Sequence, residues 1–312
     1  MRLLSWCLGA VLLCGTPLGA QTLRADGPAV RLVADGADAL APQWSPDGQR
    51  IAFTRARNAG IWLVEADGSG LRLLTDAEGS GFGFAWSPDG TAIAARTARV
   101  DGLRRSHTVT VFDVATGAAE AVSDERPSMP GLPRWAGRAH VALYAEGALD
   151  VWPVGPEAAR TAPPEALALA GDAGLALAEP ASGTARRIDP LGGTRILNVM
   201  PSPDGRRVAF EALGGNLYVV DADGGGLVDL GPGHRPTWSP DGRWVAFMAT
   251  EDDGHHVTSA DLVAVRADGS GRVALTRTPD RLEMNPSWSP DGTRLAFDDA
   301  VDGALYVLSL AE

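Results

Sequence analysis

The five-residue motif Trp-Ser-Pro-Asp-Gly recurs along the chain, and this repetition constrains the fold more than any other feature. Complete copies begin at Trp44, Trp86, Trp238 and Trp288. Residues 200–205 keep the turn but lack the tryptophan, and a weaker copy begins at Trp135. Each copy precedes a short apolar run such as Leu295-Ala296-Phe297. A motif that returns in most cases after about 40 to 50 residues predicts an array of similar structural units.

The residue types in the motif are those of a tight turn. Serine can bond its own backbone, proline presets φ at the second position, aspartate suits the third, and glycine accepts the left-handed conformation that closes the hairpin. Each copy therefore predicts a hairpin between a strand ending at tryptophan and a strand reading Ile/Val/Leu-Ala-Phe. A second hairpin with an Asp-Gly turn follows, for example at Asp67-Gly68. Four antiparallel strands per repeat are typical of a blade, so the predicted fold is an all-β propeller.

The number of blades follows from counting the third strand of each repeat. These strands are predicted to begin at Ile61, Val109, Leu149, Leu175, Leu217, Leu262 and Leu305. Seven blades are favoured, and six blades with one long insertion between Trp135 and Met200 are the alternative. The last repeat lacks a fourth strand, while residues 29–33 form an apolar segment before the first repeat. We expect this N-terminal strand to complete the last blade and close the ring, which removes two sheet edges.

The first 20 residues have the layout of a secretory signal peptide. Arg2 precedes a mostly apolar run, and small residues follow up to Ala20. The expected organisation is a signal peptide at 1–20, a short segment at 21–28 and a single propeller domain at 29–312, in a periplasmic or secreted protein. A lipid attached to Cys14 is the alternative. The apolar run is well short of the roughly 20 residues of a membrane-spanning helix, so no transmembrane segment is expected.

Composition disfavours several classes of function. The 39 acidic residues exceed the 27 basic residues, and every one of those basic residues is arginine. A chain without lysine has neither a Schiff-base nucleophile nor the phosphate-binding lysine of a P-loop. The net charge of −12 and the pI of about 4.9 indicate no nucleic-acid partner. No cofactor is predicted, and cleavage of the leader would remove both cysteines, Cys7 and Cys14.

The repeated turn followed by Leu/Val/Ile-Ala-Phe resembles the repeat of the TolB-type β-propeller family. The resemblance covers residues 29–310, which is the propeller alone without the N-terminal α/β domain of that family. It implies a propeller fold and a place in the bacterial envelope, since TolB is the periplasmic component of the Tol-Pal system. The same repeat type occurs in prolyl-oligopeptidase-like enzymes, whose hydrolase domain carries a Gly-x-Ser-x-Gly elbow. No serine of this chain stands in that pattern, so we expect no such activity.

The repeated aspartates and tryptophans are predicted to be structural. The aspartates are Asp47, Asp89, Asp204, Asp241 and Asp291. Their fixed place between proline and glycine indicates turn formation. One tryptophan at the same position of each blade indicates packing between adjacent blades.

Residues 251–256 form the one sequence cluster of acids and histidines. The segment is predicted to connect the second and third strands of one blade. Neighbouring histidines on a strand point to opposite faces, which favours a solvated loop over a metal site. Metal binding by Asp252, Asp253, His255 and His256 is the alternative, and no catalytic residue is assigned.

Charged residues concentrate in the connections that a propeller places on one face, between second and third strands and between blades. The first two blades contribute Arg55, Arg57, Arg96, Arg99, Arg104 and Arg105. The sixth blade contributes Glu251, Asp252 and Asp253. A face with positive and negative regions favours an oriented partner, so these arginines are predicted to form a partner-binding surface. The alternative is that they are ordinary solubilising charges.

Two classes of function fit the sequence. The favoured one is a noncatalytic, monomeric propeller that binds a protein or a component of the cell envelope. The alternative is a carbohydrate-active propeller enzyme of the polysaccharide lyase type with a site in the channel. Histidines and acids from several blades gathered at one channel mouth would favour the enzyme.

Overall fold

A computed structural model describes residues 22–164, 167–171 and 174–312 of the chain. The predicted signal peptide and Cys14 lie outside the described residues. Within them, the strands form seven antiparallel sheets that follow one another along the chain as the blades of a propeller. The seven-bladed ring confirms the favoured prediction, and the six-bladed alternative is wrong.

The strands of the first three blades follow two short N-terminal strands. These N-terminal strands are β1 (Arg24–Ala25) and β2 (Val30–Val33). Blade 1 contains β3 (Leu40–Trp44), β4 (Arg50–Thr54), β5 (Ile61–Glu65) and β6 (Arg72–Thr75). Blade 2 contains β7 (Phe84–Trp86), β8 (Ala92–Asp101), β9 (Arg104–Asp113) and β10 (Ala119–Ala121). Blade 3 contains β11 (Arg134–Trp135), β12 (His140–Ala145) and β13 (Ala148–Pro153).

The remaining four blades complete the ring. Blade 4 contains β14 (Leu167–Gly171), β15 (Gly174–Glu179) and β16 (Thr184–Ile188). Blade 5 contains β17 (Ile196–Pro201), β18 (Arg207–Ala212), β19 (Asn216–Asp221) and β20 (Val228–Pro232). Blade 6 contains β21 (His234–Trp238), β22 (Trp244–Asp252), β23 (Val257–Arg266) and β24 (Val273–Ala274). Blade 7 contains β25 (Glu283–Trp288), β26 (Arg294–Asp299) and β27 (Leu305–Ala311).

Helical structure is confined to short segments in the connections. The described residues contain 3-10 helices at Ala56–Asn58, Ser80–Phe82 and Pro156–Ala159. No helix in this part of the chain is long and apolar enough to cross a bilayer.

The N-terminal segment closes the ring, as the sequence predicts. Strand β27 of blade 7 pairs with β26 on one side and with β1 and β2 on the other. Arg24 lies opposite Ala311, and Val30 lies opposite Val307, in antiparallel register. The chain that leads into blade 1 therefore shares a sheet with the last strand of blade 7.

Blade 4 differs from the prediction in the identity of its strands. The sequence predicts that Leu175 begins a third strand, but Leu175 lies in β15, the middle strand of the described sheet. Strand β14 packs against β12 and β17, as the innermost strands of other blades pack against their neighbours. The run Leu175-Ala176-Leu177 therefore takes the place of the Ala-Phe strand. Blades 3 and 4 each have three strands within the described residues.

Apolar side chains cluster between neighbouring blades. The described residues form seven such clusters around the ring. Between blades 7 and 1, Trp44 and Phe53 pack with Leu305 and Val307. Between blades 3 and 4 the cluster is built from smaller side chains, because four of its six buried members are alanines. The tryptophan-rich interfaces therefore bury larger side chains than this one.

All five copies that contain Ser-Pro-Asp-Gly show the same hydrogen bonds. The serine hydroxyl donates to the aspartate carboxylate at 2.6 Å in all five copies. The same hydroxyl accepts the backbone N–H five residues later at 2.9–3.0 Å. The five turn glycines have φ between 67° and 75°, a conformation in which a side chain would be strained. The turn-forming role predicted for the aspartates is confirmed.

The repeated tryptophans lie between blades, as predicted. The indole Nε1 of Trp238 donates to the backbone oxygen of Met200 in the preceding blade at 2.8 Å. Trp135 makes the same bond to the backbone oxygen of Ala85 at 3.0 Å. The guanidinium of Arg207 lies 5.1 Å from the centroid of the Trp238 ring. These hydrogen bonds tie blades 3 and 6 to the blades before them, and Arg207 belongs to the interface between blades 5 and 6.

Candidate functional site: the loop face and its channel mouth

The connections of the propeller lie on two faces. The Trp-Ser-Pro-Asp-Gly hairpins and the turns between third and fourth strands define the hairpin face. The links between second and third strands, and between successive blades, define the loop face. Two second-to-third-strand hairpins on the loop face are long, β8–β9 in blade 2 and β22–β23 in blade 6, with nine or ten residues per strand. We call them the blade 2 hairpin and the blade 6 hairpin.

The blade 2 hairpin is an exposed two-stranded ribbon with basic residues at its end. Its strands pair continuously from Ala92 opposite Asp113 to Asp101 opposite Arg104. Strand β7 pairs with β8 only as far as Ala95, and β10 pairs with β9 only as far as Thr110. The rest of the hairpin therefore extends beyond the four-stranded sheet. Residues 99–105 are all exposed, and Leu103 at the tip is fully exposed.

The blade 6 hairpin ends in an exposed acidic turn. Residues 251–256 are all exposed. The Asp252 carboxylate accepts the backbone N–H of Gly254 at 2.9 Å, and the Asp253 carboxylate accepts those of His255 and His256 at 2.9 and 2.8 Å. These bonds hold the pKa of Asp253 below its usual value, so its carboxylate stays ionised. The turn is therefore both shaped and charged by its aspartates.

The described residues of the blade 6 hairpin do not form the cluster of ligands that a metal site would need. Residues 22–164, 167–171 and 174–312 contain no group of three or more His, Cys, Asp or Glu side chains placed to hold a metal ion. Asp252, Asp253, His255 and His256 follow one another around a turn whose backbone already uses both carboxylates. The observed arrangement is that of a charged hairpin tip.

The six arginines predicted to bind a partner are not equivalent. Arg57, Arg99, Arg104 and Arg105 are exposed, and Arg96 is half-buried at the base of the blade 2 hairpin. Arg55 is buried, so it does not contribute to an exposed binding surface as predicted.

Arg55 has a structural role near the ring closure. Its side chain is 9% exposed and forms an ion pair with Asp35 at 2.7 Å. It also donates to the backbone oxygen of Ala37 at 2.7 Å, and its guanidinium lies 4.7 Å from the centroid of the Trp62 ring. Partial burial opposes ionisation of Asp35, but the Arg55 hydrogen bond holds the pKa of that carboxyl below its usual value. Arg55 thus secures the segment between β2 and β3.

Two carboxylates at the loop-face end of the channel were not found by sequence reasoning. Glu211 and Asp298 each follow an Ala-Phe pair in the second strand of a blade. Glu211 accepts a hydrogen bond from the Asn198 amide of its own blade at 2.7 Å, and one from the backbone N–H of Arg235 in blade 6 at 3.3 Å. Glu211 therefore links the innermost strand of its own blade to that of the next blade.

Asp298 repeats this arrangement between blades 7 and 1. It accepts a hydrogen bond from the Asn285 amide at 2.9 Å and one from the backbone N–H of Ala41 at 3.0 Å. Burial raises the pKa of Asp298 to about 7, and these hydrogen bonds act in the opposite direction. Burial also raises the pKa of Glu283, which accepts hydrogen bonds from Thr276 and Thr278. Asp298 and Glu283 are therefore buried acids that ionise reluctantly.

His234 adds a histidine to the channel mouth. Its Nδ1 lies 2.8 Å from Oε1 of Glu211, and its side chain is 35% exposed. A carboxylate bonded to one imidazole nitrogen orients the ring and leaves the other nitrogen available for proton transfer. Blades 5, 6 and 7 thus place a histidine and acids at one mouth of the channel, which is the arrangement that favours the enzyme alternative.

A sequence signal for these residues exists in the repeat. An asparagine precedes the acid by 13 positions in both cases, as Asn198 with Glu211 and Asn285 with Asp298. An alignment of the repeats within the chain would have shown this coincidence at two of the four Ala-Phe strands, those of blades 5 and 7. The contact to the following blade has no such signal, because it depends on the curvature of the ring.

Comparisons with known proteins support the fold. No family model and no curated protein matches the sequence. A chain of the mitotic checkpoint complex matches with a TM-score of 0.62 and 17% identity, over 100% of this chain and 99% of that one. TolB from Acinetobacter baumannii matches with a TM-score of 0.55 and 17% identity, over 81% of this chain. An oligogalacturonate lyase from Vibrio parahaemolyticus matches with a TM-score of 0.51 and 14% identity, over 88% of this chain and 78% of the lyase.

These neighbours share a propeller with this chain. The chain spans 57% of the TolB chain that it matches. Identities of 14–17% show a common fold alone. The TolB-type resemblance of the repeat is thus supported as a fold.

Proposed function

We propose that the protein is a noncatalytic binding module that holds a protein or an envelope component on its loop face. The observation that carries this proposal is the pair of projecting hairpins, one ending in Arg104 and Arg105 and the other in Asp252 and Asp253. Both tips are exposed on the same face. Charges of opposite sign at two separate points select the orientation of a partner and speed its encounter.

Exposed apolar residues complete this binding surface. Val100 is 53% exposed, and Leu103 projects fully from the tip of the blade 2 hairpin. Apolar side chains at the centre of an interface, ringed by charges, are the usual source of affinity, whereas rim charges determine the encounter rate. The blade 2 hairpin offers both in one segment.

The test is capture of partners from an envelope fraction by the immobilised protein. The variant R104E/R105E should lose most of the captured material and keep the wild-type melting temperature, because both residues are exposed. The matched control is R186E/R187E, an adjacent exposed arginine pair on β16. Equal loss from both variants would indicate a net-charge effect and would contradict a specific face.

We further propose that the protein is exported and acts in the periplasm or outside the cell. The layout of residues 1–20 and the resemblance of the repeat to TolB support this proposal. Mass spectrometry of the mature protein should find an N-terminus near Gln21. An intact Met1 or a diacylglycerol on Cys14 would contradict it.

The second candidate function is that of a carbohydrate-active enzyme of the polysaccharide lyase type. The His234–Glu211 pair at 2.8 Å favours it, because a lyase needs a base to remove a proton from the sugar ring. Arg235 is exposed next to this pair and could contact a uronate carboxylate. Formation of unsaturated sugars from oligogalacturonate, abolished by His234→Gln, would establish this function in place of the first.

A further inference from the structure

On one face of the blade 2 hairpin, each of three cross-strand pairs joins a basic side chain to an apolar one. Residues opposite each other in an antiparallel pair share a face, as do alternate residues along a strand. Val100 pairs with Arg105, Ala98 with His107, and Arg96 with Val109. Arg96, Val100, Arg105 and His107 therefore lie on one face of the ribbon.

Arg96 is a half-buried cation without an acidic partner. Its Nη1 donates to the backbone oxygens of Met129 and Gly131, the latter at 3.3 Å, and its guanidinium lies 5.2 Å from the centroid of the Phe82 ring. Among the described residues no Asp or Glu oxygen lies within 4.0 Å of this guanidinium. A partly buried charge without a counterion is unfavourable, and an anion beside it would relieve that cost.

The local field around Arg96 is positive. Burial, followed by the charges of Arg96 and Arg105, lowers the pKa of His107, and Glu78 is the acid that opposes them. Burial and then Arg105 likewise lower the pKa of Arg96 itself. Glu78 lies 3.5 Å from Arg105, and both side chains are more than half exposed. The nearby acid Glu78 therefore pairs with Arg105 and leaves Arg96 without a counterion.

We propose that this face of the blade 2 hairpin binds the carboxylate of an acidic segment of a protein partner. The site rests on the proposed function and assigns the anion contact to Arg96 and Arg105. Phe82 is 58% exposed beside Arg96, and Val100 is exposed beside Arg105. A segment in which Asp or Glu alternates with apolar residues matches both features. In the free protein Glu78 forms an ion pair with Arg105, so it competes with the incoming carboxylate.

The experiment measures binding of a labelled peptide of alternating Glu and Leu residues by fluorescence anisotropy. Arg105→Gln should raise the Kd at least tenfold, because a hydrogen bond to a charged group is lost. Arg96→Gln should do the same, with the melting temperature recorded because Arg96 also holds residues 129–131. The control is Arg187→Gln, since Arg187 and Arg105 are both 54% exposed and each has a single acid nearby.

A gain-of-function variant separates this site from a merely structural role. Glu78→Gln removes the competing carboxylate and should lower the Kd of the Glu-Leu peptide several-fold. An unchanged or higher Kd would overturn the proposal, as would equal binding of a Lys-Leu peptide. Binding of oligogalacturonate in place of the peptide would also overturn it.

The outcomes distinguish this site from the proposed function. Loss of envelope capture in R104E/R105E without any binding of the Glu-Leu peptide would reject the carboxylate site and leave the loop-face binding module standing. Undiminished capture by R104E/R105E would reject the binding module, and with it this site.

Discussion

The hairpin face and the loop-face mouth of the channel use acidic residues in opposite ways. On the hairpin face, partial burial opposes ionisation at all five turn aspartates, but serine hydroxyls and backbone N–H groups hold their pKa values below the usual range. At the loop-face mouth of the channel, burial raises the pKa of Asp298 to about 7, and it also raises that of Glu283 beside the connection from blade 6 to blade 7. The hairpin face stabilises its charges, whereas the loop-face mouth retains acids at a cost in stability.

This difference separates scaffold from function. Five copies of one turn with the same hydrogen bonds meet the needs of folding. The loop face departs from the repeat in hairpin length, charge and buried polar groups, and such departures from local consistency concentrate at functional sites. Substitutions on the hairpin face should therefore change stability, and substitutions at the loop-face tips should change binding.

The largest expected effect is at the hairpin-face end of an inner strand. Trp238→Ala should lower the free energy of unfolding by about 3–5 kcal/mol, because a large aromatic leaves a packed interface. The indole also loses its hydrogen bond to Met200 and its contact with Arg207. Denaturant unfolding measures the change, and a loss below about 1 kcal/mol would contradict the packing role.

The second effect concerns pH and the buried acid of the loop face. The folded pKa of Asp298 is about 7 against an ordinary value of 3.8, so between these values the folded state holds a proton that the unfolded state has released. Stability should therefore fall as pH rises through this window, by at most about 1.4 kcal/mol per pH unit. Asp298→Asn should flatten this slope in urea unfolding at several pH values. An unchanged slope would show that Asp298 is ionised in the folded protein.

The turn aspartates should give the opposite pH dependence. Their lowered pKa values contribute stability that is present above about pH 4 and is lost as the pH falls through the folded values. Asp291→Asn should reduce the loss of stability on acidification below pH 4 and leave the slope near neutral pH unchanged. A change in the neutral slope instead would contradict the assignment of that slope to Asp298.

The third effect tests a single turn. Ser289 is fully buried, donates to Asp291 and accepts the backbone N–H of Arg294 at 3.0 Å. Ser289→Ala leaves that N–H without its partner and should cost about 1–3 kcal/mol in the free energy of unfolding. Ser106→Ala at an exposed hydroxyl contact on the loop face is the comparison, and it should cost less. Equal costs would show that the repeated turn is not a special source of stability.

The sequence predicts the scaffold well because turn chemistry is local. Ser45, Pro46, Asp47 and Gly48 specify a hairpin without reference to the rest of the chain, so repetition of the motif predicts blades and their number. Ring closure by β2 was also predictable, because an incomplete last repeat and an unpaired first strand complement each other. In blade 4 the turn motif is missing, and the Leu-Ala-Leu pattern alone does not distinguish a second strand from a third.

The functional candidates were less predictable because they depend on contacts across blades. Arg55 carries the same charge as Arg104, but Asp35 lies 20 residues away in sequence and draws it into the interior. Glu211 meets His234 only because the ring brings blades 5 and 6 together at the channel mouth. Whether a charged loop residue is exposed therefore follows from the structure and not from the sequence alone.

The smallest effect on stability is expected at the hairpin tips. Leu103→Ser should change the free energy of unfolding by no more than about 0.5 kcal/mol, because the side chain is fully exposed. Partner binding should nevertheless weaken measurably, since an apolar contact leaves the proposed interface. A stability loss above about 1 kcal/mol would show that Leu103 packs within the protein.

Site-specific crosslinking tests the central claim most directly. Cleavage after Ala20, as proposed above, would remove Cys7 and Cys14, so a single introduced cysteine would carry the only thiol of the mature protein. Leu103→Cys places a photocrosslinker at the loop-face tip of blade 2, and Ala115→Cys places it in the exposed hairpin-face turn of the same blade. In an envelope fraction, we predict a covalent adduct from position 103 and none from position 115. An adduct from position 115 alone, or equal yields from both positions, would contradict a loop-face binding module.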